Sequence, residues 1–183
     1  MTISTMVLGK SDGIAGYSTT GCTCHSSTAS PSVGVSISGP TSVTTGTTNT
    51  YTVTVTGGPL AANGLDVSAT GGTLVVTDST NTKLLSGEIV QTVAGTSQTS
   101  WSFDWTAPST SGTVTLYVAG FSGDGDGKKD VEDLWNLASL NINVQGAPPV
   151  PEFPLGFEAV MAIGLGAVVI YIWWRGTPKN HFR

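Results

Sequence analysis

The chain has 183 residues, 7 basic and 12 acidic side chains, a formal net charge of −5 and only 10% charged residues. Ahead of residue 151, four lysines face ten acids, which leaves no basic footprint with which to displace the counterions of a nucleic acid. That part, about 150 residues, suits one domain with a short N-terminal segment and is too small for a second core of ordinary size.

Residues 1–9 carry neither the basic n-region nor the full apolar h-region of an export signal and read as the tail of one whose start lies upstream. Next comes Gly21-Cys22-Thr23-Cys24-His25, which holds both cysteines and the one histidine outside the C-terminal tail. Covalent attachment of haem c uses two thiols and a following histidine, normally spaced C-x-x-C-H. This string is one residue shorter. Against haem stand three rivals at Cys22, Cys24 and His25: a strained disulfide, which an oxidising exterior favours, a soft-metal site, and a free dithiol. A haem here would also need a second axial ligand from elsewhere, because Met6, Met161 and His181 all belong to the terminal segments.

From Pro31 onward the hydrophobic period is two. Val33, Val35 and Ile37 alternate with Gly34, Ser36 and Ser38; Tyr51, Val53 and Val55 alternate with threonines; Val114, Leu116 and Val118 alternate with Thr113, Thr115 and Tyr117. Residues 65–69, 72–77, 88–93, 99–105 and 138–144 are further predicted strands, separated by glycine, proline and asparagine turn signals. Residues 41–50 read as turns. The pattern predicts an all-β, antiparallel β-sandwich of immunoglobulin-like type, with Trp101, Phe103 and Trp105 as core aromatics.

Between residues 122 and 133 the acids fall into calcium-loop register. Asp124, Asp126, Asp130 and Asp133 occupy positions 3, 5, 9 and 12 of an EF-hand loop, with Gly127 at position 6. Ser122 stands where the first acid belongs, Asp133 replaces the longer Glu, and no flanking helix is predicted. The expectation is a looser calcium site weighed against a solvated turn partly neutralised by Lys128 and Lys129.

Residues 146–154 form a proline-rich spacer containing Pro151, Glu152, Phe153 and Pro154. A predominantly apolar span follows at 155–174, interrupted by Glu158 near its outer end, and a basic tail opens with Arg175 at 175–183. About 20 apolar residues in helical form cross a bilayer, and positive charge gathered after the span places the C-terminus inside. The expectation is a single-pass cell-membrane protein with its N-terminal domain at the cell surface. No hydrolytic constellation, phosphate loop or zinc-protease motif is present, so no enzyme is predicted.

Several strings together carry a resemblance: residues 11–17, the Gly-Cys-Thr-Cys-His segment, Trp101-Ser102-Phe103-Asp104-Trp105-Thr106-Ala107-Pro108, residues 112–120, and Gly123-Asp124-Gly125 with residues 133–137. The chain resembles the prokaryotic choice-of-anchor (type V) surface domain, itself similar to the reelin-type, or Reeler, β-sandwich. The likeness spans roughly residues 11–144. It implies a cofactor site at Cys22, Cys24 and His25 near the mature N-terminus, and an exchangeable C-terminal anchor. The tail is similar to the archaeal PEF-CTERM sorting signal, which implies an archaeosortase-like enzyme cutting near Pro151 to Pro154.

The resulting expectation divides the chain into an N-terminal segment (1–30), a sandwich (31–145), a linker (146–154), a transmembrane helix (155–174) and a cytoplasmic tail (175–183). Its function is non-enzymatic binding of a cofactor, or of a surface protein or glycan, at the cell surface. A c-type monohaem protein and a calcium-stabilised adhesin are the alternatives.

Overall fold

The structure is a computed structural model, and it describes residues 11–148. Residues 1–9, read above as the tail of an export signal, the Pro151 to Pro154 motif, the apolar span and Arg175 lie outside the described residues. Among the described residues no helix is long and apolar enough to cross a membrane.

Among the described residues ten strands follow in chain order: β1 Val33–Ser38, β2 Ser42–Thr44, β3 Thr48–Gly57, β4 Ala62–Ala69, β5 Thr73–Val76, β6 Thr82–Leu85, β7 Glu88–Gln91, β8 Ser100–Thr106, β9 Gly112–Gly123 and β10 Leu134–Gln145. A 3-10 turn, Ala94–Ser97, precedes β8. The strands form a four-stranded sheet, ordered β1-β3-β8-β5, and a six-stranded sheet, ordered β2-β10-β9-β4-β7-β6. The period-two rows decide which faces meet. Tyr51, Val53 and Val55 of β3 and Trp101, Phe103 and Trp105 of β8 share a buried cluster with Leu65, Val67, Leu116, Val118 and Ile142 of the other sheet.

The core aromatics expected from sequence are buried, and their polar ends are satisfied. Trp105 Nε1 donates to Gly71 O at 2.9 Å, and Trp101 Nε1 to Gly95 O at 3.1 Å. Tyr51 stands edge-on to Trp105, ring centres 6.0 Å apart, and its hydroxyl donates to Pro40 O. Such pairs add to the stabilisation that area burial gives. Gly120 lets the sheets approach, since a Cβ there would lie 2.7 Å from Val35 and 2.8 Å from Val55 side-chain atoms.

Two strands were not expected. β2 arises inside the supposed turn at 41–50, where Val43 alone is buried, and three residues give too short a run for alternation to register. It pairs with β10 in parallel, so the six-stranded sheet is mixed rather than wholly antiparallel. β6 is likewise only four residues long, with Leu84 and Leu85 both exposed.

The segment at 11–30 is more than a leader to the sandwich: it runs as a strap across the outer face of the six-stranded sheet. The outward residues Val90, Ala119 and Trp135 are buried yet do not belong to the inter-sheet core. The strap covers them. Ser18 Oγ meets Ser68 Oγ at 2.7 Å, Ser30 N donates to Trp135 O at 2.8 Å, and Lys83 pairs with Asp12 at 2.7 Å.

Candidate functional site

The cysteine string folds as a tight turn, with His25 N donating to Cys22 O at 2.9 Å. Gly21 sets its position, because its positive φ of +80° suits glycine and a Cβ there would fall 1.9 Å from the Trp135 ring. Trp135 in turn donates from Nε1 to Ser26 O at 2.8 Å, which fixes the strap beyond the turn.

His25 then meets the sheet. Its Nδ1 lies 2.8 Å from Asp133 Oδ2, and its ring packs on Phe121 at 4.6 Å between centres. The Asp133 side chain is only 5% exposed. A carboxylate on Nδ1 fixes the ring's orientation and tautomer and leaves Nε2 as the acceptor, the arrangement common behind metal-ligating histidines.

Both thiols are free and line the same cavity as His25. Cys22 is largely buried; burial, reinforced by the neighbouring Asp66 and Cys24, pushes its thiol up to about 12. Cys24 is exposed and lies 3.5 Å from the Tyr17 hydroxyl. That contact raises the tyrosine's own pKa. The cavity, of about 470 Å³, lies between the strap and the six-stranded sheet, and its volume falls in the range of small-molecule sites.

One wall holds a group that sequence reasoning missed. Asp66 of β4 faces outward between Ala119 of β9 and Val90 of β7, yet it is 2% exposed because the strap covers it. Its Oδ2 accepts from Tyr17 N at 2.6 Å, and the next amide back, Gly16 N, donates to Glu88 Oε2 at 2.5 Å. Burial, together with the adjoining Glu88 carboxyl, pushes Asp66 up to about 7. Its Oδ1 and the Oδ1 of Asn63 are buried with no hydrogen-bond partner among the described residues. A lone acid inside the apolar Leu65-Asp66-Val67 run was the available signal; the strap that buries it was not readable.

The acidic loop is redistributed relative to the calcium-loop alignment. The carboxylates that converge are Asp124, Asp130 and Glu132, with ligand oxygens within 4.8 Å of one another. Glu132 had not been assigned to the set. Asp126 is instead engaged by Lys128, whose Nζ lies 2.7 Å away and whose side-chain and backbone hydrogen bonds lower the carboxyl's pKa. Asp133 turns inward to His25.

No protein-family model matches the chain, and no curated protein matches it.

Proposed function

We propose that the chain is a non-enzymatic cofactor-binding module, a Reeler-like sandwich carried on the cell surface by its C-terminal segment. The observation that carries this reading is the His25–Asp133 pair, which opens onto the same cavity as Cys22 and Cys24. A histidine held through Nδ1, two thiols three residues or fewer upstream, and an aromatic neighbour in Phe121 make a donor set suited to a haem.

In that reading His25 would hold the iron through Nε2, and Cys22 and Cys24 would carry the covalent links to the group. Haem bound there provides a one-electron iron centre. The chain's own contributions are orientation and exclusion of water: Asp133 holds the imidazole, Phe121 packs on its face, and Trp135 anchors the turn. The one-residue contraction of the thiol spacing bears on whether attachment uses one sulfur or two.

The deciding experiment is expression in a host with export and c-type maturation, followed by an absorption spectrum and intact mass of the mature protein. A haem adduct that survives denaturation is the expected result. A mass lower by two hydrogens, with neither haem nor metal, would replace the cofactor reading with a structural Cys22–Cys24 disulfide.

A second reading, calcium stabilisation of the surface domain, is favoured by the convergence of Asp124, Asp130 and Glu132. Hard oxygen ligands on a loop with two glycines suit that ion.

A further inference from the structure

The two cysteines are unequal in register and in surroundings. Where two thiols and a histidine hold haem c, the spacing is C-x-x-C-H. Cys24 keeps the place of the second thiol, directly before His25, whereas Cys22 stands one residue closer than the first thiol should. One residue fewer takes up to about 3.5 Å from the reach of the chain between two sulfurs, which must meet two fixed points of one rigid ring.

The fold adds a second asymmetry. Gly21 is buried, and a Cβ there would fall 1.9 Å from the Trp135 ring, which is itself tied through Nε1 to Ser26 O at 2.8 Å. Cys22, the next residue, is held down with it, and His25 N closes the turn from the other side by donating to Cys22 O at 2.9 Å. Burial, and after it the nearby Asp66, opposes ionisation of the Cys22 thiol. Cys24 is exposed, its sulfur 3.5 Å from the Tyr17 hydroxyl. A link at Cys22 would draw that residue out of its place and strain the Gly21–Trp135 contact; a link at Cys24 leaves the turn docked.

Resting on the haem reading above, we propose that the group is attached through a single thioether, at Cys24, with His25 on the iron and Cys22 kept as a free thiol. The Cys24 S–H adds across one vinyl double bond of the porphyrin: an S–C bond forms, the hydrogen goes to the neighbouring vinyl carbon, and no oxidant or reductant is consumed. The second vinyl group and the Cys22 thiol both remain.

The test uses the full-length chain from a host with export and c-type maturation, denatured under reductant and alkylated with iodoacetamide. The intact mass should show one haem and one alkyl group, and peptide mapping should place the haem on Cys24 and the alkyl group on Cys22. The pyridine haemochrome should have its α-band between those of non-covalent haem b and doubly attached haem c, because one vinyl stays conjugated with the ring. Cys22→Ala should keep haem that resists extraction into acidified butanone, and Cys24→Ala should lose it; if either variant fails to fold, the mass, mapping and spectrum of the parent decide alone. An adduct that takes up no alkyl group, haem mapped to Cys22, or covalent haem that survives Cys24→Ala would overturn the single link and leave the haem reading standing. A mature protein with no haem adduct would overturn both.

Discussion

His25 and Asp133 are separated by 108 positions in sequence and joined by a 2.8 Å contact between Nδ1 and Oδ2. The strap contributes the base and the β9–β10 loop the acid, so the pair forms only once the strap has docked on the sheet. Because the carboxylate fixes the ring, Asp133→Asn should lower the affinity of any metal or haem iron on His25 by about 10- to 100-fold. The fold should survive, since asparagine can still accept from Nδ1–H. Ligand titration followed by absorbance, with circular dichroism as the control for folding, checks both halves of this expectation.

Asp66 gives the protein an unusual dependence on pH. Its carboxyl titrates near about 7 when folded, above the ordinary value of about 3.9, so the folded state holds a proton that the unfolded state releases. Stability from this group is therefore full below about pH 4 and lost as pH rises through about 7, a change on the order of 4 kcal/mol. Asn at this position cannot ionise, can accept from Tyr17 N and can donate to Glu88. Asp66→Asn should equal or trail the parent in denaturant stability at pH 5 and exceed it at pH 8. Parallel stability curves for the two proteins across that interval would contradict the assignment.

The sandwich was legible because one buried face per strand leaves a period-two trace. That trace is clear in β1, β3, β8 and β9, where valine and aromatic residues alternate with serine and threonine. β2 and β6 left too few residues for a period, and the parallel pairing of β2 with β10 joins residues 101 positions apart. For the site, the cysteine turn and His25 were readable as chemistry. Asp66, Phe121 and the inward turn of Asp133 were not, because each acquires its environment from the strap, whose path no local pattern encodes. Within the acidic loop, spacing picks out Asp124, Asp126, Asp130 and Asp133, whereas the carboxylates that converge in space are Asp124, Asp130 and Glu132, with Asp126 against Lys128 and Asp133 against His25.

Calcium discriminates between the aligned set of acids and the set that converges. If Asp124, Asp130 and Glu132 share an ion, excess Ca²⁺ should raise the melting temperature relative to chelator, with about 2.7 kcal/mol gained at a hundredfold excess over Kd. Glu132→Gln should remove the rise, and Asp126→Asn should leave most of it. The reverse ordering of the two variants would restore the EF-hand-like register, and an unchanged melting temperature in the parent would leave a solvated acidic turn.

The strap itself is most exposed to a single substitution at Gly21. A Cβ built there would fall 1.9 Å from the Trp135 ring, and the residue's φ of +80° is one that alanine adopts only with strain. Neither problem is relieved locally, because Trp135 is tied through Nε1 to Ser26 O and paired across the sheet with Phe121. Gly21→Ala should therefore lift the cysteine turn off the sheet, at a cost of about 2 kcal/mol or more, while the inter-sheet core stays folded. Trp135 would gain water and His25 would lose Asp133. The expected readouts are a red-shifted tryptophan emission, a lower melting temperature and a loss of ligand affinity at His25 at least as large as that of Asp133→Asn. Unchanged emission with full ligand affinity would mean that the strap does not depend on the Gly21–Trp135 contact.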